Sequence, residues 1–454
     1  MKNLNRIKYG LLALSVALLI GATLYLNSLM PIITGYAAKN LASAVFVSNR
    51  SQENVEALDL NFSFIKYTKN KIDYANKSVT SKFLWGKSVA KYREGYGCSL
   101  VKNEDLFNNN LPLFQIPYNQ DTILWPMGNI IPKVETGADI NALTEIKDRL
   151  INENKYGGHA FAFIVTHKGI PIIEGYNQGI NKDTRLLSWS MAKSFTNALT
   201  GVVVKNEGLD IYSPINFPEW SDDKRENITV NDLLRMQSGL KWNENYGNRS
   251  DVTVMLHCEE DFAKYAAEKK LENTPGEKWY YSSGSTNIVN KVLRDKIADD
   301  NKYYRYANEQ LFNKIGMPNA VFELDEAGIQ VGSSYIYATA RDYARFALLY
   351  LNNGYFNGEQ ILPENWIDYS TSITSDSNGE YGASFWLNLS KILPSAPESM
   401  YSCHGHDGQR IFILPEQETA IVVLGYSPKT TNNMNFDLLI SDILEAILLP
   451  HSPS

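Results

Sequence analysis

Ser190 and Lys193 stand three residues apart in the stretch Leu187-Ser-Trp-Ser-Met-Ala-Lys-Ser-Phe-Thr-Asn197. Three residues is nearly one helical turn, so on a helix both side chains share a face and meet. A serine hydroxyl is a weak nucleophile at neutral pH. An amine held beside it, its own charge disfavoured by burial, can take the hydroxyl proton. A helix N-terminus adds unpaired N–H groups and a positive dipole end, which favour the negative charge that develops when a serine attacks a carbonyl. The chemistry this pair suggests is acyl transfer.

The same spacing recurs at Ser63/Lys66, Ser88/Lys91, Ser99/Lys102, Ser221/Lys224 and Ser238/Lys241, so context must choose. Only Ser190 opens a long amphipathic run, Met191 to Val204, with Phe195, Leu199, Val202 and Val203 on one face and Gly208 as its stop. A second element is Tyr280-Tyr-Ser-Ser-Gly284, between Pro275-Gly276 and a helix expected to begin near Thr286. A tyrosine there can shuttle a proton if a nearby ammonium stabilises its phenolate, which otherwise forms only near pH 10. The chain has 27 tyrosines, and packing is the commoner role for any one of them. The third element is Cys403-His-Gly-His-Asp-Gly-Gln-Arg410, just before a predicted strand. Its glycines permit close approach of backbone to a ligand, and an edge strand offers an N–H to a carbonyl oxygen. A lone histidine in such a loop is more often structural.

Taken together the order is specific: Ser190-x-x-Lys193, then Tyr281-Ser-Ser283, then His406-Asp-Gly408 before a late strand. This resembles the serine β-lactamase and penicillin-binding-protein superfamily, in its class C and esterase-like branch, and in particular the branch that includes 6-aminohexanoate-dimer hydrolase. The resemblance covers residues 135 to 450. It includes Asp232-Leu-Leu-Arg-Met-Gln-Ser-Gly-Leu240, Pro275-Gly276, Tyr355-Phe-Asn-Gly-Glu-Gln-Ile-Leu-Pro-Glu-Asn-Trp366 and Tyr381-Gly-Ala-Ser-Phe-Trp386. It implies that Ser190 forms an acyl-enzyme, that Lys193 helps deprotonate it, and that Tyr281 passes the proton to the leaving group. The oxyanion would lie between the backbone N–H groups of Ser190 and Gln409, with Ser283, His406 and Gly408 lining the site. Ser283 stands where many members carry asparagine. His406 stands where β-lactamases and carboxypeptidases usually carry lysine, and both departures argue against penicillin hydrolysis while leaving acyl transfer intact. Tyr280 and His404 are rivals in register to Tyr281 and His406.

The elements that must position these residues can be read in order. A helix is expected over residues 140 to 154. A hairpin follows, Ala160 to His167 and Ile170 to Tyr176, joined by Lys168-Gly169. Thr229-Val-Asn-Asp232 and Thr339-Ala-Arg-Asp342 read as capping boxes, with Gly239 and Gly354 as stops. Strand signals return at Phe385 to Leu389, Gln409 to Leu414 and Thr419 to Gly425, and an apolar helix from Phe436 to Leu448 closes the chain. Strands at both ends with helices between them imply an α+β fold of the α/β sandwich type. One antiparallel sheet, completed late in the sequence, is flanked by helices with an inserted all-helical lobe, as in the β-lactamase/transpeptidase family. Residues 40 to 130 read as a small β-rich accessory segment, with Leu58 to Tyr67, Val79 to Gly86 and Ala90 to Cys98 as strands. Residues 131 to 454 read as the hydrolase domain.

Residues 1 to 39 form the remaining segment. Lys2, Arg6 and Lys8 precede an apolar run, Tyr9 to Leu26, and no charge follows until Lys39. Such a run can span a bilayer, and basic residues before it keep the N-terminus cytoplasmic and place the rest outside. A cleaved signal peptide is the competing reading, but no A-x-A site follows the apolar core. The expectation is an uncleaved anchor with the catalytic domain periplasmic or extracellular.

Composition sets the outer limits. The chain has 454 residues, 44% hydrophobic and 20% charged, which is ordinary for a globular protein. A net charge of −7 supplies no basic footprint for nucleic acid. Cys98, Cys258 and Cys403 allow at most one disulfide and no thiolate metal site, and the six histidines form no HExxH cluster. The reading is therefore a membrane-anchored serine hydrolase, without metal or organic cofactor, acting on an amide or ester of a small or peptide-like acyl substrate. The alternatives are a D-alanyl-D-alanine peptidase or penicillin-binding protein of the cell wall, and a non-catalytic receptor that binds or is acylated by such ligands.

Overall fold

The computed structural model describes residues 2–107, 110–427 and 433–448. Its central sheet grows from the hairpin His159–His167 and Ile170–Tyr176. Lys168 and Gly169 both have positive φ, 50° and 78°, the mirror-image turn whose twist suits adjacent antiparallel strands. The late strands Trp386–Leu387, Tyr401–His404, Arg410–Leu414 and Thr419–Tyr426 then add in sequence beside this hairpin. Thr419–Tyr426 pairs antiparallel with His159–His167, Val423 opposite Phe163. Six strands result, all antiparallel, as the sequence pattern predicts.

Side chains alternate between the sheet's faces, and both faces are covered. Phe163, Val165, Phe412, Leu414, Ile421 and Val423 pack with the helices Ile140–Ile151 and Phe436–Leu448. Ile164, Ile411, Ile413, Val422 and Leu424 face the other way, into the core shared with the helical lobe and the serine helix, Ala192–Glu207. The two predicted capping boxes are present. Thr229 and Asp232 start Val230–Leu234, and Thr339 and Asp342 start Ala340–Leu351.

The N-terminal helix is one element of 45 residues, Lys2–Phe46, and it runs unbroken past residues 39 and 40. From Ile7 to Leu26 its large apolar side chains are exposed; from Met30 onward it is packed against the rest of the protein. A four-stranded antiparallel sheet, Lys69–Asp73, Ser78–Phe83, Gly86–Arg93 and Gly97–Leu100, lies on that packed half. A Cβ on Gly86 would come within 2.7 Å of Met30 Cβ, so the close approach of strand to helix depends on glycine there.

The strand expected over Leu58 to Tyr67 is not formed. Leu58 ends the helix Gln52–Leu58, and Ile65–Tyr67 is a 3-10 turn. The apolar alternation there comes from Leu60 and Ile65 reaching the N-terminal helix from an irregular segment, with Ser63 at φ 46° breaking any extended run. The run read as one strand from Ala90 to Cys98 is two strands joined by a turn with positive φ at Gly95 and Gly97.

Several contacts tie the N-terminal helix to residues 131–454, two of them side-chain pairs of particular note. Lys39 is buried and forms an ion pair with Glu323, whose other oxygen accepts from Ser43 Oγ at 2.8 Å and from the Cys98 N–H at 2.7 Å. Tyr36 stacks on Trp189, the residue before Ser190, with ring centroids 6.1 Å apart.

Candidate active site

The serine helix begins with a 3-10 turn, Trp189–Met191, that carries Ser190. Trp189 has φ 46°, a costly backbone conformation for a bulky residue, held by rings on several sides. Tyr36, Tyr335 and His406 all pack on its indole. One turn on, Lys193 is 1% exposed. Its Nζ lies 3.0 Å from Ser190 Oγ, 3.0 Å from Ser283 Oγ and 3.0 Å from the Ser333 carbonyl oxygen, which occupies all three ammonium donors. Burial lowers the Lys193 pKa to about 8, and the carboxylate of Glu244 partly opposes that shift.

Tyr281 is the tyrosine at the serine. Its ring centroid is 4.7 Å from Lys193 Nζ, and Ser190 is near enough to its hydroxyl to favour the ionised form slightly. Trp386 and Tyr381 hold the ring, at 5.5 and 6.0 Å. Tyr280 is 54% exposed, and its N–H bonds to the Met236 carbonyl. A phenolate at Tyr281 is disfavoured despite the nearby lysine: burial, and then Glu244, push its pKa well up, outweighing the lowering influence of Ser190. The residue poised to lose a proton near neutral pH is the lysine, and Tyr281 is a neutral donor.

Ser283 opens the helix Ser283–Ile297 behind the Ser282 cap. Its Oγ accepts from Lys193 and donates to Glu244 Oε1 at 2.5 Å, while its N–H donates to Glu244 Oε2 at 3.0 Å. Glu244 also accepts from Trp242 Nε1 at 2.5 Å. Sequence reasoning missed this carboxylate. Its only signal is the alternation Trp242-Asn-Glu-Asn-Tyr246 in a loop after Gly239, which places one acid between two aromatic rings.

The third motif is brought to the same turn. A Cβ on Gly405 would stand 2.3 Å from the Ser188 carbonyl oxygen, so glycine lets this loop lie against the serine turn. His406 lies over Tyr246, centroids 5.0 Å apart and nearly parallel, with its Nε2 3.3 Å from Asp407 Oδ1. His404 points elsewhere, stacked on Trp386 at 5.1 Å and bonded to Ser402 Oγ. Gly408 has φ 89° and sits against Ser427. The Gln409 side chain is spent on structure, bonding both the N–H and the carbonyl oxygen of Gly425. Its backbone N–H reaches only the His406 carbonyl oxygen, at 3.5 Å, a weak bond. Arg410 Nη1 donates to the carbonyl oxygens of Gly405 and Gln409, each at 2.8 Å, and burial lowers its pKa to about 10. Among the described residues no group of three His, Cys, Asp or Glu is placed to hold a metal ion, and Cys98, Cys258 and Cys403 are free.

The geometry offers a serine hydroxyl with a buried amine on it and a phenol close by, beside a backbone N–H with little else to bond. Known proteins are similar to this chain in sequence and fold. The Beta-lactamase family model matches residues 143–439. The 6-aminohexanoate-dimer hydrolase of Paenarthrobacter ureafaciens is 21% identical over 296 residues, covering 59% of this chain and 72% of that one. A solved Bacillus anthracis protein, provisionally assigned as a 6-aminohexanoate-dimer hydrolase, is 22% identical with a TM-score of 0.53, over 75% of this chain and 87% of that chain. A family VIII carboxylesterase is 14% identical with a TM-score of 0.54, over 68% of this chain and 98% of that chain. The family match takes in more than half the sequence and every residue from Ser190 to Gln409 just described. A sheet completed late in the chain, a helical lobe and a serine–lysine turn between them thus have one explanation: the chain belongs to the Beta-lactamase family and is a serine hydrolase.

Proposed function

We propose that this hydrolase cleaves an amide or ester through an acyl-enzyme on Ser190. The observation that carries the reading is the buried Lys193 Nζ at 3.0 Å from Ser190 Oγ with its pKa lowered to about 8. At pH 7 about one Lys193 in ten is then neutral, enough to serve as a base. Neutral Lys193 takes the hydroxyl proton as Ser190 Oγ bonds to the carbonyl carbon. The displaced electron pair moves to the carbonyl oxygen, which the Ser190 and Gln409 N–H groups receive. As the intermediate collapses, the leaving nitrogen or oxygen takes the Tyr281 proton. A phenolate is costly in this buried position, so Tyr281 regains a proton from the Lys193 ammonium, whose Nζ lies 4.7 Å from the centre of its ring. Water then attacks the ester by the same path, releasing the acid and restoring Ser190.

On the acyl donor, the likeness to an aminohexanoate-dimer hydrolase and a carboxylesterase supports an open-chain amide or ester with no carboxylate adjoining the scissile bond beside His406; an aminohexanoate dimer carries its own carboxylate five methylenes away. His406 packs on Tyr246 beside Asp407, a poor setting for an anion. The N-terminal helix supports an extracytoplasmic, membrane-anchored enzyme. Among the described residues it is the one helix long and apolar enough to cross a bilayer, and its large apolar side chains from Ile7 to Leu26 are exposed. The test is kcat/KM for an ester, an aminohexanoate amide, a D-alanyl peptide and a penicillin. We expect the ester or the aminohexanoate amide to lead. A penicillin or D-alanyl peptide that equals them would overturn the substrate reading.

A further inference from the structure

The accessory sheet carries three lysines on one rung. Lys69 is paired with Lys82, and Lys82 with Lys87, across neighbouring strands, so three exposed ammonium groups stand side by side on one face. None of the three is in an ion pair among the described residues. Like charges directly opposite destabilise a sheet. A chain of net charge −7 that keeps such a row has a cost to offset, and an anionic partner would offset it.

Beyond that rung the same end of the sheet is apolar. Leu84 and Trp85 form the tip of the hairpin, 69% and 57% exposed. Phe64 lies against Phe83, and Tyr67 lies under the Lys66 ammonium; both rings are also exposed. Trp85 Nε1 donates to Asn27 Oδ1 at 3.1 Å, which fixes the height of the tip on the N-terminal helix. The apolar run from Tyr9 to Leu26 is about 27 Å long at 1.5 Å per residue. A bilayer's hydrocarbon core is about 30 Å thick, so the tip stands where the helix would leave it. Tryptophan and tyrosine favour that interface, and lysines one step further out reach the phosphates.

We propose that Phe64, Tyr67, Leu84 and Trp85, with the row of Lys69, Lys82 and Lys87, form a second membrane contact that docks on anionic phospholipid. The contact rests on the reading that the N-terminal helix crosses the same bilayer. It fixes the helix exit and holds the catalytic domain at one height, because Tyr36 joins that helix to Trp189.

The test uses the full chain in vesicles of phosphatidylcholine with and without phosphatidylglycerol. An environment-sensitive fluorophore is attached at Leu84→Cys or, separately, at Leu18→Cys, in a Cys258→Ser background, and quenched by spin-labelled acyl chains. Quenching at both positions in anionic vesicles is expected. Charge attraction contributes roughly fivefold per lysine to the docking equilibrium. Changing Lys69, Lys82 and Lys87 together to Gln should therefore weaken docking on the order of a hundredfold and remove most quenching at position 84 alone. A label quenched at 18 and unquenched at 84 overturns the docking contact and leaves the anchor standing. Labels unquenched at both positions overturn the anchor itself. Quenching at 84 that is unchanged in the triple variant overturns the role given to the lysines.

Discussion

Tyr36 stacks on Trp189 across 6.1 Å at an interplanar angle of 22°, so a residue of the N-terminal helix supports the turn that presents Ser190. Trp189 holds an unfavourable backbone conformation, φ 46°, and such strain persists only where surrounding contacts fix it. The N-terminal helix is therefore a structural support of the turn that carries Ser190.

The Lys39–Glu323 ion pair should report this coupling as stability. Both side chains are buried, and removing one partner strands the other charge, a loss of about 3–5 kcal/mol. Lys39→Met is expected to unfold at correspondingly lower denaturant. The double variant Lys39→Met/Glu323→Gln should recover a good part of the loss, since no bare charge remains. Chemical unfolding of the three proteins measures it.

Glu244 should set the pH dependence of the reaction. Its charge raises the Lys193 pKa against the stronger lowering by burial. Activity that needs neutral Lys193 should rise with pH through about 8 in the wild type. Glu244→Gln removes the opposing charge, so the inflection should move to lower pH while the maximal rate falls through the weakened Ser283 bond. A pH profile that keeps its inflection would leave Glu244 a purely structural role.

Much of this site was legible from the chain, for a physical reason. Ser190 and Lys193 lie within one helical turn, so local spacing brings them together whatever the rest of the fold does. Tyr281 and the His406 loop were placed by motif and order. Glu244 was not, because its bonds to Ser283 and Trp242 exist only after a loop closes over the start of another helix. In the same way Leu58 to Tyr67 alternates like a strand, yet its apolar residues are claimed by the N-terminal helix rather than by a sheet. The protonation states also depend on tertiary burial. Composition reveals neither the lowered lysine nor the raised tyrosine.

Lys193 should show a trade of stability for activity. Its folded pKa, about 8, lies below the ordinary lysine value of 10.5, so between those pH values the unfolded chain binds the extra proton. Stability from this group is thus missing below pH 8 and is gained as pH rises from 8 to 10.5. Lys193→Met should be inactive, yet more stable than the wild type at pH 7 by about 2–3 kcal/mol, an advantage that shrinks toward pH 10. Unfolding at pH 7 and 10 checks both parts.

The two adjacent tyrosines should separate cleanly. Tyr281→Phe removes the hydroxyl near Ser190 and should lower kcat by about 10²-fold or more. Tyr280→Phe changes an exposed ring and should leave kcat near wild type. The reverse result would shift the motif by one residue.

The central claim is that Ser190 alone forms the covalent intermediate, and a fluorophosphonate probe tests it most directly. Peptide mapping of the labelled full-length protein should find the adduct on Ser190, with labelling abolished in Ser190→Ala and greatly slowed in Lys193→Met. An adduct on any other serine, or wild-type labelling of Ser190→Ala, would contradict the account.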